Sequence, residues 1–313
     1  MQIKVVIAFI FFIMFSCNRM PESKGAYNEL SIISSDEDRE YISLFISNVF
    51  NDSIYTPILK SSYDINYINP HDFLDNKYNK NIIIISLKYP PDSTIDLLSN
   101  KFLDEYNKPI LSFYNMYSKN QLILHINSYD YDHLIFDTSE HLHWIKSEID
   151  ENISRNILID YNKEKKSKEI NKIINDKFKI NLNIDDNYKI LKEDSMFMWI
   201  GRGFPYRWIV INKIKSNNNM NNFETIKFLH ENNLTDIIIP SRFVSETEYD
   251  SYKVIRGLYE HLDSDTGGPF VTYVYEDIYK DNKLYISGFV NNPGKDKIIL
   301  LKQLESIFQN IKE

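Results

Sequence analysis

The residue with the most specific chemistry in this sequence is Cys17, its one cysteine. A weakly basic start leads into the apolar run Val5–Phe15, which ends just before this cysteine, and a polar stretch begins just after it. The run of about eleven residues is too short for a membrane-spanning helix, which needs about 20, but it has the length of the apolar core of a signal peptide. We therefore expect residues 1–16 to be a signal peptide.

The four residues Met14-Phe15-Ser16-Cys17 resemble a bacterial lipobox, with an apolar residue three positions before the cysteine and a small residue directly before it. The resemblance implies cleavage before Cys17 and attachment of acyl chains to its sulfur and to its new amino group. Two or three chains give a stable membrane anchor, because each buried CH₂ contributes about 0.8 kcal/mol. Residues 17–28 are then a lipid-anchored tether. The alternatives are an ordinary signal peptide with an incidental cysteine and an uncleaved anchor.

The sequence contains no recognisable motif for other chemistry. A single cysteine permits no internal disulfide, and lipidation removes its thiol as a nucleophile. No Gly-x-Ser-x-Gly, His-Glu-x-x-His or phosphate-binding glycine loop occurs. His141 and His143 lie two residues apart in a predicted helix, so they point apart and do not form a metal-binding pair. We predict no catalytic site, no metal site and no cofactor.

One candidate site groups a cation in an apolar strand, an acid and a glycine-rich segment: Arg256, Asp265, Gly267, Gly268 and Pro269. The functional interpretation is a loop whose backbone approaches a ligand, with Arg256 and Asp265 as polar contacts. The structural interpretation is that glycine supplies close packing or a positive φ before a strand, and proline fixes the start of the strand. Arg256 lies in an apolar strand and needs a carboxylate partner if it is buried. The candidates for this partner are Glu248, Asp250 and Asp265.

A second candidate is a stretch that combines aromatic rings with guanidinium groups: Trp199, Arg202, Phe204, Tyr206, Arg207 and Trp208. Such side chains can stack on a glycan or an aromatic ligand. The alternative places the aromatic side chains in the core on one strand face and solvated arginines on the other face.

Size and charge limit the possible classes of protein. The chain has 313 residues, of which 43% are hydrophobic, and this is enough for two domains with buried cores. Its formal net charge is −8. A chain of this sign repels a phosphate backbone, so we exclude nucleic acid as a partner.

Predicted strands and helices occur in runs and do not alternate, which favours an α+β fold over a doubly wound parallel sheet. Asn81–Leu87 predicts a buried strand, and Asp137–Glu140 resembles the capping box of a helix that runs to about Arg155. Closely spaced strands near the C-terminus predict antiparallel pairing, with a helix over Lys295–Ile311 lying across them. We expect two sub-domains, 29–160 and 161–313, each with a largely antiparallel sheet and helices on one face.

Four motifs in the C-terminal third occur in order: Ile255–Glu260, Gly267–Val271, Ser287–Val290 and Leu301–Glu305. Together they resemble an uncharacterised lipoprotein family of Bacteroidetes, domain of unknown function 4837. Weaker resemblances extend the likeness over nearly all of the mature chain, at Met198–Arg202, Tyr117–Gln121 and Gly25–Leu30. The resemblance implies a lipoprotein and no established activity. Tyr259, where the family usually has Trp, is a departure that affects a side chain and not the fold.

These features predict a membrane-anchored envelope lipoprotein that binds a ligand or helps to assemble a complex, and that is not an enzyme. The expected partners are the membrane, through the lipid, and an envelope protein. The lack of an acidic cluster directly after Cys17 favours the periplasmic face. The alternative is a cell-wall or glycan hydrolase, which needs two carboxylates that converge in a cleft and a raised pKa on one of them.

Overall fold

The computed structural model describes residues 20–56, 58–89, 91–103, 108–215, 220–234, 236–263, 266–279 and 282–311. The strands in this part of the chain are β1 (Glu29–Ile33), β2 (Ser53–Tyr55), β3 (Leu59–Ser61), β4 (Asp64–Ile68), β5 (Asn81–Leu87), β6 (Ile110–Tyr114), β7 (Leu122–Ser128), β8 (Lys189–Glu193), β9 (Phe197–Arg202), β10 (Tyr206–Lys215), β11 (Ile237–Ile238), β12 (Ser245–Glu248), β13 (Lys253–His261), β14 (Gly267–Tyr279) and β15 (Asn282–Asn291). The α-helices are α1 (Arg39–Val49), α2 (Phe73–Asn76), α3 (Ser93–Ser99), α4 (Tyr131–Thr138), α5 (Leu142–Lys163), α6 (Lys168–Phe178), α7 (Asn222–Asn233) and α8 (Ile298–Gln309).

The chain folds as two units, and each unit is drawn from two stretches of sequence. The described residues of the first unit fall within 1–49 and 65–152, and those of the second fall within 50–64 and 153–313. Sequence patterning predicts a single boundary near residue 160, whereas the hairpin of β2 and β3 belongs with the C-terminal residues. No strand pattern in such a short segment indicates which core it joins.

The first unit contains a sheet with strand order β4-β1-β5-β7-β6. The three central strands β1, β5 and β7 are parallel, and β6 is antiparallel to β7. This sheet differs from the expected antiparallel one because helical crossovers, and not tight turns, connect its central strands. Every residue of β5 is buried, as in strands that are covered on both faces.

Helices contact both faces of this sheet. Ile95 and Leu98 of α3 pack with Ile82 and Ile84 on one face. Side chains alternate along a strand, so Asn81 lies on the other face, where its Oδ1 accepts a hydrogen bond of 2.8 Å from Nδ2 of Asn152 in α5. The expectation of helices on one face therefore needs correction for this unit.

The helix predicted to start at a capping box near Asp137 begins elsewhere. Asp130 caps α4 by accepting from the backbone N–H of His133 at 2.9 Å, and Asp137 lies inside that helix. The carboxylate of Asp137 instead accepts from the hydroxyl of Ser128 at 2.9 Å. The capping-box prediction is wrong because a stronger cap occurs seven residues upstream, directly after β7.

The second unit contains an antiparallel sheet with strand order β11-β13-β14-β15-β10-β9-β8, and β12 pairs with β13. One face packs against α6 and α8, and the other packs against α7 through Ile226. Leu301, Leu304 and Phe308 form the buried stripe of α8. The α+β class and the C-terminal helix across the sheet are confirmed, whereas helices lie on both faces of this sheet and not on the single face expected.

The described part of the expected tether lies against the first unit. The backbone N–H of Lys24 donates to the carbonyl of Tyr78 at 2.8 Å, and the carbonyl of Pro21 accepts from Lys119 at 2.8 Å. Residues 1–19, which include the expected signal peptide and Cys17, lie outside the described residues. In the part that is described, no helix combines the length and apolar character that a membrane span requires.

Candidate functional site

A pocket of about 430 Å³ lies in the second unit, between the end of α5, the helix α6 with the loop after it, and the end of α8. This volume falls in the range of small-molecule sites. Its lining residues are five amides and four apolar or aromatic side chains, with no carboxylate and no cation: Asn162, Asn171, Asn181, Asn183, Asn310, Leu158, Tyr161, Leu182 and Ile307. The pocket therefore suits an uncharged ligand that has both polar groups and an apolar face.

Asn171 shapes this pocket, and other amides are available to a ligand. Nδ2 of Asn171 donates to the carbonyls of Ser167 and Ile184, and its Oδ1 accepts from the backbone N–H of Ile184 at 2.7 Å. These three bonds hold the loop after α6 against the helix. Nδ2 of Asn183 donates to Oδ1 of Asn162 at 3.4 Å, which fixes two lining side chains relative to each other.

Three amide atoms in the lining have no hydrogen bond to another described residue: Nδ2 of Asn162, Oδ1 of Asn183 and Oδ1 of Asn310. The pocket thus presents one free donor and two free acceptors beside aliphatic side chains. A ligand with hydroxyl or amide groups can satisfy all three, since such groups donate and accept. Sequence inspection did not single out these residues, because asparagine is frequent throughout the chain.

A buried ionic cluster supports the wall of the pocket at Tyr161. The phenol oxygen of Tyr161 accepts from the backbone N–H of Asp185 at 3.0 Å, and Asp185 is completely buried. Oδ2 of Asp185 is 3.0 Å from Nη1 of Arg202, which also lies 3.4 Å from Oε2 of Glu164. Burial raises the pKa of Tyr161 well above its usual value, so its hydroxyl stays neutral at physiological pH.

The aromatic and cationic stretch splits between the two sheet faces, as its alternation predicts. Trp208 packs beside Tyr259 and Phe289 on the α7 face, with ring centroids 5.6 and 6.3 Å away. The arginines lie on the other face but are not solvated: Arg207 is 5% exposed, and Arg202 is held by the ionic cluster. The expectation of solvated arginines is wrong because the segment after α6 covers them.

The glycine-rich candidate lies in the sheet and not in a loop. Gly267 and Gly268 begin β14 and pair with Glu260 and Tyr259 of β13, and Pro269 pairs with Leu258. A Cβ on Gly267 would come within 2.3 Å of the Tyr259 carbonyl oxygen, and one on Gly268 within 2.0 Å of the Val290 carbonyl oxygen. Both glycines therefore allow neighbouring strands to approach closely. Asp265 lies outside the described residues.

The partner of Arg256 is Glu305. Nε of Arg256 donates to Oε1 of Glu305 at 2.7 Å, which joins β13 to α8. Neither Glu248 nor Asp250, both named as candidates from sequence, forms this pair. The partner was missed because it is distant in sequence and lies on the buried side of an amphipathic helix, where a carboxylate is uncommon.

The comparisons with known proteins identify the region that contains most of the pocket. Residues 166–310 match the family model described as "Domain of unknown function (DUF4837)". We call this matched region, residues 166–310, the DUF4837 domain. The four C-terminal motifs that resemble this family lie inside the match, so the family resemblance is confirmed for this region. The weaker resemblances at Tyr117–Gln121 and Gly25–Leu30 lie outside it.

Three solved structures are distantly similar to this chain. The Ran-binding protein Mog1p of Saccharomyces cerevisiae is 9% identical with a TM-score of 0.32, over 42% of this chain and 89% of that one. A mutant of the protein Mog1 is 10% identical with a TM-score of 0.31 over the same shares. A structure from Bacteroides thetaiotaomicron is 8% identical with a TM-score of 0.28, over 42% of this chain and 44% of that one. The search of curated proteins found no match.

The DUF4837 domain contains one buried histidine, and the first unit contains another. Nε2 of His230 is 2.9 Å from Oγ of Ser287, and Nε2 of His125 is 2.6 Å from Oγ of Ser99. Burial lowers the pKa of His230 to about 3 and that of His125 to about 4. Neither Nδ1 has a hydrogen-bond partner, so no carboxylate orients the ring as in a catalytic triad. Both pairs stabilise the core.

Two carboxylates in the first unit, outside the DUF4837 domain, have pKa values shifted in opposite directions from the usual value of an aspartate. Burial raises the pKa of Asp38 to about 6, and the nearby charges of Asp92 and Glu37 contribute. Burial also acts to raise the pKa of Asp92, but the backbone N–H groups of Thr94 and Ile95 outweigh it and lower the pKa. Among the residues that the structure describes, no group of three His, Cys, Asp or Glu side chains is arranged to hold a metal ion.

Proposed function

We propose that this chain is a bacterial envelope lipoprotein, anchored in a membrane through Cys17, that binds an uncharged ligand in the pocket at the DUF4837 domain. The proposal places the protein on the periplasmic side, with no catalytic role. The ligand carries hydroxyl or amide groups and an apolar ring face, as an N-acetylated sugar does. An envelope protein that presents such groups is an alternative occupant.

The observation that carries the binding role is the composition of the pocket lining. Hydrolysis needs an acid and a base within hydrogen-bond reach of the scissile bond. The pocket lining has no carboxylate, histidine or lysine, and burial keeps Tyr161 neutral. Amides beside aliphatic side chains bind a neutral polar molecule without activating water, so the pocket supports recognition and not bond cleavage.

The hydrolase alternative rests on the carboxylates Asp38 and Asp92, whose pKa values differ in the direction that an acid and a base require. However, Asp38 is 1% exposed, and Oδ1 of Asp92 is used to cap α3. A polymer such as a glycan does not reach a carboxylate in that position. The pair therefore gives little support to a glycan hydrolase.

The membrane anchor is tested by replacing its attachment residue. We expect the wild-type protein to incorporate a palmitate analogue and to sediment with membranes, because acyl chains at Cys17 hold it there. A Cys17→Ala variant should lose the label and accumulate as uncleaved precursor or in the soluble fraction. A Ser23→Ala variant, which keeps Met14-Phe15-Ser16-Cys17 unchanged, serves as the control and should still be labelled. Labelling of the alanine variant would contradict the anchor.

The pocket is tested with the disaccharide of N-acetylglucosamine as a neutral probe. Asn162→Asp keeps the acceptor for Asn183 but turns the free donor into an anion, so we expect calorimetry to show at least about tenfold weaker binding, or about 1.4 kcal/mol. The control is Asn187→Asp, an exposed residue outside the pocket, which should bind within about twofold of the wild type.

The same titration separates binding from catalysis. Mass spectrometry should recover the disaccharide intact after prolonged incubation with the protein. Release of the monosaccharide would contradict the non-enzymatic role. Equal loss of affinity in both variants would contradict the pocket as the binding site, while leaving the anchor untouched.

A further inference from the structure

A second site lies in the first unit, at the edge where the parallel strands end. Because β1, β5 and β7 are parallel, their carboxyl ends meet at one edge of the sheet. Ligands of open α/β sheets bind at this edge, in the loops that follow the strands. The loops here carry hydroxyl and carboxylate groups, at Ser34–Asp38 after β1 and at Asp92 after β5.

The loop after β1 contains polar atoms that are buried and have no partner. Asp38 is 1% exposed, and neither of its carboxylate oxygens has a hydrogen bond. The hydroxyl of Ser34 is also buried and lacks a partner. The Asp38 backbone is held in place, because its carbonyl accepts from Ile42 at 3.0 Å in the first turn of α1. Three acceptors thus lack a donor, which is unfavourable for a buried carboxylate.

The charged groups around Asp38 do not compensate its charge. Asp92 and Glu37 both disfavour its ionised form. The neighbouring cation, Arg39, pairs with Asp36 through Nη2, its guanidinium carbon lies 6.0 Å from the ring centroid of Tyr67, and its buried Nε donates no hydrogen bond to Asp38. Hydrogen bonds from Ser35, Thr94 and the α3 backbone hold Asp92. The loop therefore has an uncompensated negative charge at a fixed position.

We propose that Ser34 and Asp38 bind the primary ammonium group of a small amine. An ammonium carries three N–H donors and one positive charge, which match three unpartnered acceptors and one uncompensated carboxylate. A divalent ion needs more charge than this loop offers, since the second carboxylate is engaged as a helix cap. The exposed rings of Tyr89 and Tyr129, stacked with centroids 6.4 Å apart at the ends of β5 and β7, offer an apolar surface at the same edge for the carbon chain.

The ammonium site is tested with cations that differ in N–H donors, at constant ionic strength and pH 7.5, on the full-length protein. Methylammonium should raise the melting temperature in a concentration-dependent way, whereas tetramethylammonium, which has no N–H group, should not. Asp38→Asn should abolish this response, and Asp75→Asn, an exposed aspartate of the same unit, should keep it. Equal responses to tetramethylammonium, or a larger response to calcium than to methylammonium, would overturn the proposal.

The pH dependence of Asp38→Asn provides a second readout. The pKa of Asp38 is raised to about 6 in the fold from 3.8, so without a ligand its protonated form stabilises the protein and this contribution is lost as the pH rises through 6. Removing the charge should raise the folding equilibrium constant by about a hundredfold at pH 7.5 and leave it unchanged at pH 4. A variant that is less stable at pH 7.5 would show that Asp38 has a partner within the chain, and would contradict the site.

Discussion

Replacing Gly268 by alanine is expected to destabilise the second unit by about 4 kcal/mol, which is a large share of the roughly 5–15 kcal/mol by which a domain is ordinarily stable. The Cβ would come within 2.0 Å of the Val290 carbonyl oxygen and 3.2 Å of its carbon. These are backbone atoms of β15, the strand on one side of β14, while β13 lies on the other side. Neither neighbour can move away without breaking its own ladder. Denaturant unfolding, followed by tryptophan fluorescence, measures the loss.

Gly203→Ala is the matched control for this prediction. Gly203 lies in the turn between β9 and β10, where a Cβ meets no atom within 4 Å. The free energy of unfolding of the Gly203→Ala variant should differ from that of the wild type by no more than about 0.5 kcal/mol. If both variants unfold at the same denaturant concentration, the close approach of strands at Gly268 does not explain the glycine there.

Replacing Glu305 by alanine is expected to cost about 3–5 kcal/mol. The Glu305 side chain is 12% exposed and that of Arg256 is 26% exposed, with 2.7 Å between Nε and Oε1. Removing the carboxylate leaves a guanidinium without its partner between the sheet and α8. Equilibrium unfolding of the variant should show this loss at pH 7.

Two further variants separate the ion pair from ordinary packing. Asp160→Ala removes an ion-pair partner of Lys163. The Asp160 side chain is 47% exposed and that of Lys163 is 68% exposed, so the loss of this pair should cost less than about 1 kcal/mol. The double variant Arg256→Met with Glu305→Leu should regain most of the loss, because an apolar pair of similar size needs no charge compensation. A double variant as unstable as Glu305→Ala would show that shape, and not charge, fixes α8 on the sheet.

The second unit could be predicted well because its signals are local. The alternation in β13, β14 and β15 and the apolar stripe of α8 are each contained in a short window. In the first unit the strand Asn81–Leu87 was predicted, but not its direction. The apolar run in β5, buried at every position, is typical of a parallel strand covered on both faces, and this signal would have predicted the mixed sheet.

The candidate sites depend on contacts that are distant in sequence. The pocket brings Asn162 and Asn183 beside Asn310, and no pattern links these residues within a short window. Arg256 and Glu305 are 49 positions apart. Asp38 lies directly before α1, and the missing donor for its carboxylate is a property of everything that surrounds that group. A single sequence shows neither which distant residues come close together nor which buried polar groups lack a hydrogen-bond partner.

The hairpin of β2 and β3 has a consequence for synthesis of the chain. Ile54 packs against the hydrophobic core of the second unit, and Nζ of Lys60 lies 3.7 Å from Oδ2 of Asp296. Most of the first unit lies in the sequence between Lys60 and Asp296. During translation this hairpin leaves the ribosome long before the residues that cover it. The hairpin lacks its contact with Asp296 until more than about 200 further residues have been synthesised. For the same reason, a protease that cuts once in the chain cannot release either unit whole.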